Sequence, residues 1–290
     1  MFNLATVVAA EFGDHLAETY LEFFPDKKPE YAAFLNDYAR EALEHLSCSD
    51  APYHNAEHTM MVTLVGQQII RGMLETRTVK PEDWLHYILA LLLHDIGFTR
   101  GVCDGDTESE VVTNETGNRI CPPRGATDAF LAPYHVDRGK IYVRHRFADS
   151  NLIDAERIAQ SIEFTRFPVP SDATYACTES EPALVRAADL IGQIADPYYF
   201  RKISGLYHEF VETGYAQKLG CDTPMDLMEQ FPDFYHGQVQ PLIGPALKHL
   251  TQTIEGKKWV EQLNDHASLN ARHSRRLGPF PGPSNNGDAT

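Results

Sequence analysis

The stretch Trp84-Leu85-His86-Tyr87-Ile88-Leu89-Ala90-Leu91-Leu92-Leu93-His94-Asp95-Ile96-Gly97 decides how the rest of the chain is read. From Tyr87 to Leu93 it is apolar nearly all round, which predicts a helix that crosses a core rather than lying on a surface. Pro81 opens that helix at a position where a missing N–H costs nothing. An adjacent His-Asp pair closes it, and Gly97 follows.

Upstream, the pattern stays helical. Leu16, Tyr20, Phe23 and Phe24, then Tyr31, Phe34, Leu35 and Tyr38, recur at three and four, predicting two amphipathic helices between Phe2 and Leu46, broken near Pro25 and Pro29. A third is expected from about Ala56 to Leu74. Downstream of Gly97 the period is lost. Residues 101–126 are rich in glycine and carry Pro122 and Pro123; Val111-Val112-Thr113 and Arg119-Ile120-Cys121, around Glu115-Thr116-Gly117-Asn118, predict a short β-hairpin. Helical spacing returns at about Asp137 to Phe147, then in Leu152 to Phe164, Pro182 to Ile194, Tyr198 to Tyr215, and a long amphipathic stretch from Met225 to Leu263. The expected architecture is an all-α helical bundle over residues 1–273 as a single domain, with one irregular insertion at about 101–134. From Ser274 onward Gly, Pro, Ser, Asn and Asp dominate, so 274–290 is expected to be a disordered tail.

The chain's 290 residues, 43% apolar and 23% charged, suit a folded globular protein. No apolar run approaches the ~20 residues of a bilayer-spanning helix. The N-terminus lacks the basic region and small-residue cleavage site of a signal peptide, so a cytoplasmic protein with no membrane partner is expected. The five cysteines are scattered, form no C-x-x-C pair, and are expected to be free thiols. A net charge of −16 repels long nucleic acid. A small phosphorylated substrate stays compatible, because a bound metal reverses the local potential.

Two motifs carry chemistry: Pro52-Tyr53-His54-Asn55-Ala56-Glu57-His58, entering the third helix, and Leu93-His94-Asp95-Ile96-Gly97. An adjacent His-Asp pair can put an imidazole nitrogen and a carboxylate oxygen on one cation, with the second oxygen of Asp95 free to bridge. A further His from one helix and an Asp from another would complete a mixed N/O site open to water. That ligation suits Mn, Fe, Zn, Ni or Mg, as one divalent ion or two.

His58, His94-Asp95 and a distal Asp in a helical chain resemble the HD-domain superfamily of metal-dependent phosphohydrolases. The segment around Tyr53-His54-Asn55 and His58 is similar to the matching motif of class I cyclic-nucleotide phosphodiesterases. The resemblance covers roughly Tyr53 to Pro197. It implies that His54 is the catalytic proton donor and that His58, His94 and Asp95 are metal ligands, with Asp95 also part of the catalytic set. Those phosphodiesterases follow the His-Asp pair with another His and a Pro-Gly; this chain has Ile96-Gly97-Phe98-Thr99, so their second-metal shell and nucleotide pocket do not carry over.

The last ligand is expected downstream. Asp189, in Arg186-Ala187-Ala188-Asp189-Leu190-Ile191, sits among small and apolar residues, where a carboxylate is costly unless paired or bound to metal. An ion pair with Arg186 or Arg201 is the plainer alternative, and Asp196, before Pro197, is the rival ligand. Extra histidines between His94 and the distal Asp hold a second ion in two-metal branches of the superfamily, which makes His135 a candidate second-metal ligand and His145 a weaker one. Arg138, in a basic run with Lys140, Arg144 and Arg146, is the expected phosphate clamp. Glu57 and Glu163 are candidate outer acids that fix imidazole tautomers. The four-residue step from His54 to His58 places both rings on one helix face.

The function these residues imply is divalent-metal-dependent hydrolysis of a small phosphoester or nucleotide, with attack by a metal-activated hydroxide and protonation of the leaving group by His54. The rivals are an HD-type di-iron oxygenase, which needs ligands for two ions, and a catalytically silent ligand-binding module. The insertion, which leaves the chain just after Asp95 and returns at His135, is expected to cover the site and to move as a lid.

Overall fold

The computed structural model describes residues 3–268. It is mostly helical, as the spacing predicts. Asn3 caps α1 (Leu4–Phe23) through its side chain, and α2 (Glu30–Leu46) doubles back on it after the proline-bearing turn. Asn55 caps α3 (Ala56–Leu74) by accepting from the backbone N–H groups of Glu57 and His58. Pro81 begins α4 (Pro81–Leu93), in which every residue from Trp84 to Leu93 is buried. This is the core-crossing helix that the apolar run predicts. Its surroundings are the inward faces of α2, α3, α6 (Ala155–Glu163) and α7 (Glu181–Ile194). The second half of the chain adds α5 (His135–Arg146), α8 (Tyr199–Glu212) and the C-terminal helices.

Two close approaches place the functional side chains. A Cβ on Gly192 would lie 2.8 Å from the Val62 Cα, so α3 and α7 cross with almost no side chain between them. Val62 is one turn beyond His58, and Gly192 is three residues beyond Asp189, so this crossing brings the α3 histidine alongside the α7 carboxylate. A Cβ on Gly97 would fall 1.9 Å from the His135 carbonyl oxygen. The tight turn Ile96–Phe98, directly after Asp95, is thereby pressed onto the start of α5.

Between Gly97 and α5 lies the insertion. Its strands β1 (Val111–Val112) and β2 (Arg119–Ile120) pair antiparallel, Val111 opposite Ile120 and Val112 opposite Arg119. One turn of tight helix, Asp128–Leu131, interrupts what the sequence suggests is helix-free. Val111, Phe130 and Leu131 form a small apolar cluster of their own. After a short α9 (Tyr215–Leu219), the stretch Met225 to Leu263, expected as one long amphipathic segment, is divided among α10 (Pro224–Glu229), α11 (Phe231–Phe234), a wide turn at Tyr235–Val239, α12 (Gln240–Leu250) and α13 (Ile254–Ser268). Pro232 and Pro241 each lack the N–H that a continuous helix needs, and the wide turn absorbs the break. Among the described residues no helix is long and apolar enough to cross a membrane. All five cysteines are unpaired. The expected tail at 274–290 lies outside the described residues.

Candidate metal centre

Four side chains from three helices and one turn converge. His58 Nε2 lies 3.2 Å from Asp189 Oδ1 and 3.4 Å from Asp95 Oδ2; His94 Nε2 lies 3.1 Å from Asp95 Oδ2 and 3.7 Å from Asp189 Oδ1. His58, His94 and Asp189 each offer one atom to a group compact enough to hold a cation, and His54, His58 and Asp95 form a second overlapping group. His94 Nε2 and Asp95 Oδ2 are both buried without a hydrogen-bond partner. An orphaned buried nitrogen and oxygen, facing each other out of hydrogen-bond alignment, are costly unless something else satisfies both. A divalent ion fits that description, and a mixed imidazole–carboxylate set is suitable chemistry for one.

The surrounding bonds aim these atoms inward. His94 Nδ1 donates to the Leu91 carbonyl at 2.7 Å, and His135 Nδ1 donates to the Ala132 carbonyl at 2.6 Å, so each ring keeps its Nε2 lone pair for the site. Burial pushes the His94 ring down, but the charges of Asp95 and Asp189 raise it to about 9. Burial likewise pushes the Asp95 carboxyl up, and the neighbouring imidazoles His94, His54 and His58 hold it well below the usual carboxylate range. Both effects state one fact: the cluster attracts positive charge, whether a proton or a metal ion. His135 is lowered by burial, which favours its neutral, ligating form. Its Nε2 is 3.8 Å from the other Asp95 oxygen, Oδ1, so the two faces of that carboxylate look at different imidazoles. The side chains of His54, His135 and Asp189 are 21%, 15% and 19% exposed, against 5% or less for His58, His94 and Asp95, which shows where the centre opens.

His54 is fixed by a residue that the motifs do not contain. Glu209, on α8, accepts from the backbone N–H groups of Tyr53 and His54 through Oε1, at 2.6 and 3.0 Å, and from His54 Nδ1 through Oε2 at 2.5 Å. Burial pushes the His54 ring down, but the Glu209 carboxylate raises it to about 9, so it is cationic at neutral pH. The signal was present in α8: Tyr199, Ile203 and Leu206 set a buried face, and Glu209 is the next residue on it.

Other expectations need correction. Arg138 does not face the centre. It is fully buried, and its five N–H donors all end on protein acceptors: Nε on the Gly97 carbonyl, Nη1 on Asp106 Oδ1 and the Val112 carbonyl, Nη2 on the Thr99 carbonyl and Asp106 Oδ2. None remains for a phosphate. Glu57 pairs with Lys202, and Glu163 with Lys140, Arg166 and the Tyr175 hydroxyl, so neither touches an imidazole. His145 is exposed in the last turn of α5. Asp196 is buried and accepts from the Tyr198 N–H just ahead of α8, with Lys202 as its counter-ion. Arg186 bonds two carbonyls and Arg201 lies over the Tyr198 ring, so neither pairs with Asp189.

The insertion's returning limb reaches the elements that hold His54. The Asp128 N–H donates to Asp50, ahead of α3, and the Thr127 hydroxyl donates to Glu212, in the last turn of α8.

A mostly helical protein with a buried His/Asp cluster able to bind metal is the class that this fold and site define. The chain belongs to the Npun_R2479-like family, whose model matches residues 2–273. A search of curated proteins finds no match to it.

Proposed function

We propose that this chain is a divalent-metal-dependent phosphohydrolase of the HD-domain superfamily, acting on a small phosphoester or nucleotide. The observation that carries the reading is the unpartnered pair His94 Nε2 and Asp95 Oδ2 at the floor of the cluster, beside a cationic His54 at its rim. His58, His94, Asp95 and Asp189 would hold the ion. When bound, it would supply Lewis-acid polarisation of a phosphoryl oxygen and lower the pKa of a water toward neutrality. Glu209 holds His54 through Nδ1, which leaves the Nε2 proton to be donated to a departing alkoxide. With Arg138 engaged elsewhere, the positive charge that meets a phosphate comes from the ion and from His54 itself. The anionic surface repels large polyanions, which favours a small substrate.

Metal analysis of the purified chain, joined to a hydrolysis screen over phosphomonoesters, phosphodiesters and nucleotides, tests the proposal. The expected result is at least one divalent ion per chain, lost in single alanine variants of His58, His94, Asp95 or Asp189 and kept in Asp196→Ala. A chain that cannot be loaded with any divalent ion, or that is loaded and hydrolyses nothing, would overturn it.

One observation favours a second reading. The approach of His135 Nε2 to Asp95 Oδ1 offers part of a second cation site, as an HD-type di-iron oxygenase requires. Two irons per chain with oxygen consumption, and no phosphoester turnover, would establish that reading instead.

A further inference from the structure

The segment Ile96-Gly97-Phe98-Thr99 departs from the phosphodiesterase pattern, and neither the cation ligands nor the proton donor explain it. It is one tight turn, held at two points: Arg138 takes the carbonyls of both Gly97 and Thr99. Gly97 itself is pressed against the backbone of His135, with no room for a Cβ. Phe98 is therefore fixed by its neighbours on either side. Its ring is buried and lies nearly parallel to two imidazoles, His54 at 4.6 Å and 5°, and His135 at 4.5 Å and 24°. The imidazole centroids are 6.5 Å apart.

Each imidazole donates one hydrogen bond through its Nδ1, to the Glu209 carboxylate for His54 and to the Ala132 carbonyl for His135. One such bond fixes an atom and leaves the ring free to tip about it. A phenyl face in contact removes that freedom.

We propose that Phe98 is a positioning residue that sets the tilt of His54 and His135 together, so that the proton donor and the second imidazole beside Asp95 are aligned by a single ring. The kinetic consequence rests on the hydrolase reading: His54 must present Nε2 to the leaving oxygen, and a misplacement of ~1 Å can cost about 100-fold.

The test compares two esters in the metal-loaded full chain. Phe98→Leu is expected to lower kcat on an alkyl phosphoester by roughly 10- to 100-fold and on a nitrophenyl ester by no more than about threefold, because only the alkyl leaving group needs a proton. Combined with His54→Ala it should add no further loss on the alkyl ester, and Phe98→Tyr, which keeps the ring, should stay near the parent. Nitrophenyl turnover doubles as the check of folding, and Phe98→Met takes the place of Phe98→Leu if leucine is not tolerated. Equal losses on both esters, or additive losses with His54→Ala, overturn the proposal. If the parent hydrolyses no ester, the hydrolase reading fails by itself, and the alignment is judged by proton resonances of the imidazoles. Loss of the shielding phenyl face should move the ring protons of His54 and His135 downfield together; no movement at either overturns it.

Discussion

Two long connections in this molecule are each held by a buried arginine, and they are held differently. Arg138 fastens the insertion: all five of its N–H groups are occupied, and the Asp106 carboxylate is its counter-ion inside the protein. Arg186 fastens the 165–180 segment between α6 and α7 through the carbonyls of Tyr175 and Cys177. Its Nε has no partner, no carboxylate pairs with it among the described residues, and the face of Phe164 lies 5.3 Å away. Burial holds its pKa below the ordinary arginine value. A guanidinium enclosed with its counter-ion acts as a lock. One enclosed without it carries an uncompensated desolvation cost, and what it holds can yield more cheaply. The glycines of the insertion suggest a mobile lid; its arginine anchor is paired with a counter-ion, and that of the 165–180 segment is not.

The comparison can be broken at its strong end first. Arg138→Met removes five bonds and strands Asp106, so a loss of roughly 3–5 kcal/mol in denaturant unfolding is expected, with faster hydrogen exchange at Val112, whose N–H is held by that same carboxylate. A loss below about 1 kcal/mol would mean the lock is illusory.

A middle effect comes from the acid that ties down the 165–180 segment from its other side. Burial pushes the Glu163 carboxyl up, but hydrogen bonds from Arg166, Lys140 and Tyr175 overcome this and hold it at about 2. Because its folded pKa is depressed, its contribution is complete above the unfolded value near 4.5 and is lost as the pH falls toward 2. Discounted for a partly exposed site, it amounts to roughly 1–2 kcal/mol. Glu163→Gln should therefore flatten the acid limb of stability between about pH 4.5 and 2. An unchanged limb would remove Glu163 from the account.

The smallest effect sharpens the contrast. Arg186→Met deletes two carbonyl bonds but also an unpaired buried charge, so the change is expected to lie within about 1 kcal/mol of zero in either direction. If it matches the cost of Arg138→Met, a counter-ion is not what distinguishes the two connections.

The same pair shows what a sequence can and cannot reveal. The fold was legible wherever periodicity and proline agreed, as at Pro25, Pro29 and Pro81. It was misread from Met225 to Leu263, because Met228, Phe231, Tyr235, Val239, Ile243, Ala246 and Leu250 keep a continuous buried spacing through three breaks in the helix. For the site, His58 and the His94-Asp95 pair announce themselves by local spacing, and Asp189 by being an acid among alanines. Glu209 is marked only by its place on the buried face of α8, and nothing local ties it to His54, since that partner is 155 residues away and a glutamate on a helix ordinarily reads as solvated. Arg138 misled because a run of basic residues says nothing about which one turns inward. Arg144 and Arg146 do form the exposed ion pairs that such a run predicts, with Glu156 and Glu41.

The hold of Glu209 on His54 also bears on how the protein is made. During synthesis His54 and His58 leave the ribosome early, yet the carboxylate that seats His54 is the last of these groups to appear, after Asp189 and 155 residues after the histidine it holds. Long-range contacts of this kind close slowly, and domains take shape as units while the chain emerges from its N-terminal end. On the proposed reading, a nascent chain that has reached α7 has every candidate ligand of the cation cluster but not the residue that orients the proposed proton donor. In birth order, then, the candidate metal cluster is complete before the residue that seats His54 has emerged, and α12 and α13, which pack on α3 and α7, come later still.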